Sequence, residues 1–285
     1  MKPVLLVGNG PNYFSRHFSW KDAIRVAARR ARLANQVEKL INEPLPLVYE
    51  TIASQYPEQE GDTKRELAEP LFSLKHNEIH ESLMSLGWPD VLTTNYDHSL
   101  ESASGESFQS ANLESESTYS IFRRRRSKSH SVWHIHGDID GPRTILLGFH
   151  QYAGYLQKLR QYLTTKANGS PFVFAGDTWT TEDDRHSWAD LFLRNNVHIV
   201  GFGFDYAETV LWWLLSYKQR LRCAKKMPTG TTTYYQIGNA TKADRRLPLL
   251  MAFGVSIVSI PSLKGVPTRE SWTEVIAMLR KVPKS

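Results

Sequence analysis

Four short apolar runs, each leading into a motif that carries glycine or polar residues, constrain this chain more than any other feature. Val4-Leu5-Leu6-Val7 runs into Gly8-Asn9-Gly10, and Val91-Leu92 into Thr93-Thr94-Asn95-Tyr96-Asp97. Ser131-Val132 runs into Trp133-His134-Ile135-His136-Gly137, and Val197-His198-Ile199-Val200 into Gly201-Phe202-Gly203-Phe204-Asp205. Such runs read as buried strands, the kind found in parallel sheets covered on both faces. In an open α/β sheet the carboxyl ends of the strands share one edge, and ligands bind there. An amide, a carboxylate and an imidazole therefore gather beside a glycine turn. The pattern implies a dinucleotide site with an acid–base residue next to it.

Between the first two runs the chain turns helical. Ser19-Trp20-Lys21-Asp22 resembles a capping box with Asp in place of Glu. It opens a helix whose apolar face runs through Ile24, Ala27, Ala28, Ala31, Ala34, Val37, Leu40 and Ile41. Arg25, Arg29, Arg30 and Arg32 fall largely off that face and are expected in solvent, and Glu43-Pro44 ends the helix. Further helical patches lie at about 46–55, 63–73 and 75–86, the last stopped by Gly87. That is more helix than one βαβ crossover needs, so an inserted helical module is expected at about 19–87. After Leu100 a stretch rich in Ser and Glu leads to Arg123-Arg124-Arg125-Arg126, and its low hydrophobicity predicts a flexible loop over about 101–130. The second half predicts a helix at 152–163, a Gly- and Asp-rich connection at 167–186, and a helix carrying Val210 to Leu215. Strands at 233–237 and 255–258, with a short helix between them, precede a last helix at 272–279. This order predicts one α/β domain over 1–285, built on a doubly wound, Rossmann-like parallel sheet.

Composition narrows the classes. A chain of 285 residues can bury one large core. No apolar run approaches the ~20 residues of a membrane span. Met1-Lys2-Pro3 leads straight into a strand rather than a signal peptide, so a cytoplasmic protein without membrane contact is expected. Cys223 is the sole cysteine, which rules out an internal disulfide or a four-cysteine zinc site. It lies in a helical pattern and reads as a small buried apolar residue. The net charge of +6 favours no partner by itself. Arg123 to Arg126 read as a solvated loop, or as a contact for nucleic acid, an acidic partner or a nucleotide phosphate. Trp212 and Trp213 are adjacent on one helix; both are buried, or one faces a subunit interface.

Gly8-Asn9-Gly10 keeps the first two glycines of the dinucleotide fingerprint and lacks the third. Gly201-Phe202-Gly203 is a second glycine pair at a strand end, and either pair could offer N–H groups to phosphate. Asn95 suits an Asx turn or a ligand contact, and Asp97 a helix N-cap. Period two puts His134 and His136 on the same face, with Ile135 opposite, so spacing does not choose between the histidines.

Taken together in this order, the four motifs resemble those of the sirtuin-like superfamily. They are closest to its bacterial branch of NAD-hydrolysing antiphage-defence effectors. Thr93-Thr94-Asn95-Tyr96-Asp97 is similar to the family's Thr-Gln-Asn-Ile-Asp motif, with Thr94 for Gln and Tyr96 for Ile. Trp133-His134-Ile135-His136-Gly137 resembles its His-Gly motif, which singles out His136. Ile237-Gly238-Asn239 weakly resembles a later ribose-contacting segment. The resemblance implies NAD as substrate, with Asn95 and His136 catalytic. It also implies nucleotide contacts from Gly8, Asn9, Gly10, Thr94, Asp97, Gly201, Gly203, Asp205 and Asn239. By that resemblance Asn95 holds the nicotinamide ribose and attacking water, His136 is the general base, and Asp97 lines the nicotinamide pocket. Protein-deacylating relatives carry a four-cysteine zinc module, which one cysteine cannot build. The expectation is therefore plain NAD hydrolysis with no metal, in a homo-oligomer or under a separately encoded partner such as a DNA-translocase-type ATPase. Two rivals stand beside it: NAD-dependent deacylation or ADP-ribosylation of protein, and a non-catalytic module binding NAD, ADP-ribose or nucleic acid.

Overall fold

Strand β1 (Pro3–Val7) is buried at every position because it lies inside an eight-stranded sheet. The structure is a computed structural model that describes residues 1–15, 18–111, 118–164, 186–225, 228–238, 245–262 and 265–284. The other strands are β2 (Asp90–Thr93), β3 (Gln109–Ala111), β4 (Arg124–Arg126), β5 (Ser131–His134), β6 (Asn196–Val200), β7 (Thr232–Ile237) and β8 (Val255–Ile260). They are ordered β3-β4-β5-β2-β1-β6-β7-β8. All neighbours from β5 to β8 pair in parallel, while β3 and β4 add an antiparallel edge. Numbering the parallel strands β1, β2, β5, β6, β7 and β8 as 1 to 6 gives the order 3-2-1-4-5-6, the Rossmann arrangement. The winding reverses between β1 and β6, which pair from Pro3↔Asn196 to Val7↔Val200. This is the doubly wound α/β sheet expected from the sequence.

Alternation along each strand sends neighbouring residues to opposite layers. Val4 and Leu6 face a core shared with α7 (Phe149–Thr164), α8 (Trp188–Arg194) and α9 (Thr209–Cys223). Leu5 and Val7 face the other layer, with α5 (Glu78–Met84), α6 (Ser99–Ser104) and α11 (Arg269–Leu279). Helix α10 (Arg246–Ala252) sends Leu250 into the first of these cores. Helices α1 (Trp20–Arg30), α2 (Ala34–Leu40), α3 (Leu45–Ala53) and α4 (Glu60–Phe72) build a third core with Ile139, Ile145 and Leu147.

The capping box at Ser19 forms in both directions with Asp22. The single helix expected through Ile41 is instead two helices. Arg32 adopts φ 58°, with Leu33 N–H donating to Ala28 O and Arg32 N–H to Arg29 O. That is a Schellman closure, here without the usual glycine. The break folds α2 back, and Val37 and Ile41 still reach the core. Arg25 and Arg30 are not merely solvated: they pair with Glu38 and with Asp62 and Glu66, tying helices together at the surface.

The basic cluster is not a solvated loop. Arg124 to Arg126 form β4, pairing with β5. The Arg124 guanidinium stacks 4.6 Å from the Trp133 ring centre, Arg123 is buried, and Arg125 pairs with Asp140. The cause is register: Arg124 lies opposite Trp133, whose ring offers a buried face to a cation. Cys223 is exposed rather than buried, because the apolar stripe of α9 runs through Val210, Leu211, Leu214 and Leu215 and has passed off its face by then. Trp212 and Trp213 are both half-buried, stacked on Tyr206 and Tyr217. Residues 112–117 of the expected loop and 167–185 of the expected connection lie outside the described residues. Among the described residues, no helix is long and apolar enough to cross a membrane.

Candidate active site

At the switch point the turns after β1 and β6 pack backbone against backbone. A Cβ on Gly8 would lie 2.5 Å from Gly201 O and 2.7 Å from Phe202 Cα, so only glycine fits there. The Gly8 N–H donates to Val200 O at 3.0 Å and the Gly10 N–H to Gly201 O at 2.8 Å. These two N–H groups are thus satisfied within the protein rather than offered to a phosphate.

Asn12 links this turn to the exit of β2. Its Nδ2 donates to Asn9 Oδ1 at 2.8 Å and to Asp97 Oδ2 at 2.9 Å. Its Oδ1 lies 3.0 Å from His80 Nε2, and because a carboxamide oxygen only accepts, that nitrogen carries a proton. His80 Nδ1 then accepts the Asn77 N–H, which fixes a neutral imidazole. Burial pushes the same way, lowering His80 to about 4. Asp97 Oδ1 accepts the N–H of Ser99 as α6 begins.

Asn95 follows β2 directly. Its N–H donates to Thr93 Oγ1 at 3.0 Å, and its Nδ2 donates to Gly8 O at 3.2 Å. Its Oδ1 has no hydrogen bond among the described residues, which leaves an acceptor at the cleft wall.

His136 lies beyond the end of β5, followed by Gly137 at φ 119°. A Cβ on Gly137 would meet Ile145 Cα at 2.5 Å. The imidazole is 2% exposed. Its Nδ1 is 3.5 Å from Tyr152 Oη, and its Nε2 is 3.4 Å from Glu208 Oε2. Neither Nε2 nor Oε2 completes a hydrogen bond. Burial lowers His136 to about 3, while burial, then Asp205, raises Glu208 to about 8. Both groups are held toward their neutral forms.

The two histidines do not share a face, because strand geometry ends at His134. His134 turns away to Glu101, with Nε2 2.7 Å from Oε1, and its Nδ1 lies 3.0 Å from Asn95 O. Burial lowers its affinity for a proton, but Glu101 and then Asp138 outweigh it and raise the pKa to about 9. His98, His134 and Asp138 bring ligand-type atoms within 4.8 Å of one another. Their hydrogen bonds describe an ion network instead. Both His134 nitrogens face acceptors, so it is an imidazolium with no lone pair for a metal, while His98 Nε2 meets Asp138 Oδ1 at 2.9 Å.

The cavity between these elements has a volume of ≈ 250 Å³. Asn9, Thr94, Asn95, Asp97 and His136 line it, as do Gly201, Gly203 and Asp205. Gly8 and Gly10 stand behind its wall, and Asn239 lies outside the described residues. The helical module contributes Trp20, Ala23 and Leu71. Asn12, Tyr152 and Glu208 were missed from sequence. Asn12 had a signal, since it closes the Gly10-Pro11 turn; Glu208 and Tyr152 had none, because only folding brings them to His136. Asp97, Asp205 and Glu208 supply carboxyl groups, and no Lys or Arg lines the cavity among the described residues. Phe204 adopts φ 48°, a conformation disfavoured by ~1–2 kcal/mol for a residue with a Cβ. Its ring is held there against Phe202, Tyr234 and Trp212.

A Rossmann-type sheet with an amide and an imidazole lining a cleft at its switch point is an α/β architecture in which ligands bind at the strand ends. The family model described as SIR2-like domain matches residues 89–205, from the entry to β2 through Asp205. That segment thus resembles a SIR2-like domain, which points to NAD-related chemistry. No curated protein matches the chain.

Proposed function

We propose that this protein hydrolyses NAD to nicotinamide and ADP-ribose, acting as an antiphage-defence effector by NAD depletion. The observation that carries the reading is the convergence of Asn95 and His136 on one cavity whose lining, among the described residues, holds three carboxyl residues and no Lys or Arg. Breaking the bond between ribose C1′ and the pyridinium nitrogen sends the bonding pair to nicotinamide, which leaves neutral. Positive charge then builds on the sugar, and an acidic, partly apolar cleft favours it. Water adds to C1′ and gives up a proton. Asn95 Oδ1 orients that water or a ribose hydroxyl. With Nδ1 of His136 holding the ring proton toward Tyr152 Oη, Nε2 keeps its lone pair and is the nitrogen that takes the proton. The cavity is smaller than the ~300–1,000 Å³ usual for ligand sites. It suits the nicotinamide end, with the remainder of the nucleotide along the exposed mouth at Gly203 and Asp205. Self-assembly or a separately encoded partner would supply the trigger.

Purified protein incubated with NAD should release nicotinamide, followed by chromatography. Asn95→Ala and His136→Ala should each slow release by ~10²-fold or more. Unchanged rates in both variants would overturn the assignment. O-acyl-ADP-ribose or modified protein in place of free ADP-ribose would move it to group transfer.

A further inference from the structure

One carboxyl in the cleft, Glu208, orients no water and takes no proton in the bond cleavage described above. Glu208 directly precedes α9 and is 6% exposed, and its Oε2 has no hydrogen-bond partner among the described residues. Among the described residues, the titratable groups facing it come from four segments: His136 after β5, Tyr96 after β2, Tyr152 on α7, and Asp205 on its own loop. None is a fixed cation. The Tyr96 hydroxyl is committed to Leu146 O at 2.8 Å, and His136 is held neutral by burial.

A buried acid with a carboxylate neighbour and no counter-charge stays protonated. Burial and Asp205 hold Glu208 up at about 8. A cation entering the cavity reverses that balance by supplying the missing charge. The oxidised nicotinamide ring is a cation and the reduced ring is neutral, while the rest of the two nucleotides is identical.

We propose that Glu208 is a specificity-determining residue, selecting the oxidised, pyridinium form of the nucleotide over the reduced form and losing its proton to solvent as the cationic ring enters. The proposal rests on the reading of the cleft as an NAD site. His136 takes no part in the release, since burial keeps its imidazole in the neutral form, without a second ring proton, at neutral pH.

Calorimetry of the full chain tests it with the carbocyclic analogues of oxidised and reduced NAD, which cannot be hydrolysed, and with ADP-ribose. Titrations run from pH 6.5 to 9 in buffers of differing ionisation enthalpy. The oxidised analogue should bind with release of up to one proton, its affinity rising toward about tenfold per pH unit until about pH 8 and then levelling. The reduced analogue should show a flat profile and weaker binding. Glu208→Gln should keep ADP-ribose binding, abolish proton release and bring the two analogues within about threefold of each other. If Glu208→Gln does not give a cooperative melt, the proton count of the wild type with each analogue decides alone. Equal affinity for both forms at pH 8, or proton release that survives in Glu208→Gln, overturns the role of Glu208 and leaves the NAD reading standing. Wild-type protein that binds neither analogue nor ADP-ribose overturns both.

Discussion

Asn12 Nδ2 stands 2.9 Å from Asp97 Oδ2 across 85 residues of chain, and the same nitrogen reaches Asn9 Oδ1 at 2.8 Å. One buried amide therefore fixes two predicted site residues relative to each other. The bond requires a donor facing the carboxylate, and the His80 contact on the other side requires an acceptor. Only a carboxamide offers both at this position.

Asn12→Asp replaces that donor with a second carboxylate inside a buried contact. One of the two must then hold a proton or the network opens. A loss of about 2–4 kcal/mol is expected in denaturant unfolding. Nucleotide affinity should fall more steeply at pH 8 than at pH 5, where the second carboxyl is neutralised. Unaltered stability at both pH values would refute the network.

The glycines of the two turns should separate by substitution. Gly8→Ala drives a Cβ into Gly201 O and should cost about 1–3 kcal/mol or prevent folding. Nothing lies within 4 Å of a Cβ on Gly203, so Gly203→Ala should melt within a degree or two of wild type. If Gly203 lies along bound nucleotide, that variant should still lose affinity for ADP-ribose. Thermal melts and calorimetry read the two effects apart.

The histidines should separate in the same way. His136→Ala should abolish nicotinamide release while leaving stability within about 1 kcal/mol, since burial makes its neutral ring a costly polar guest. His134→Ala strips the Glu101 carboxylate of its buried partner and should destabilise by about 3–5 kcal/mol. The reverse pattern, with a stable His134 variant and an unfolded His136 variant, would exchange their roles.

Stability should also fall with alkali. A histidine whose pKa rises on folding stabilises fully below its unfolded value of ~6.5 and loses that contribution as pH climbs through the folded value, about 9 for His134. Glu208 acts in the same direction up to about 8. The melting temperature of the unliganded protein should therefore drop between pH 6.5 and 9. The drop above pH 8 should flatten in His134→Gln. A melting temperature that is constant across this range would contradict the His134–Glu101 ion pair.

Much of the architecture was legible because it is local. Apolar runs leading into glycine or polar motifs marked β1, β2, β5 and β6, and the Ser19 box marked the start of α1. The break at Arg32 was not legible, since the apolar period continues across it and an arginine takes the place where glycine usually signals a stop. The Arg123–Arg126 cluster misled for a similar reason. Charge along a sequence suggests solvent, but pairing to β5 set Arg124 on the Trp133 ring and Arg125 among carboxylates.

The sequence by itself determined the strand ends and the residue types that stand there. Glycine, amide, carboxylate and imidazole are each required by backbone geometry or hydrogen-bonding capacity at their own position. Tertiary structure alone decided which of these side chains meet. It turned His134 to Glu101 and His136 to Glu208, because regular alternation stops where β5 ends and the partners come from segments 33 and 72 residues away. Contacts across such distances depend on how layers pack against the sheet, and no periodicity along the chain records that packing.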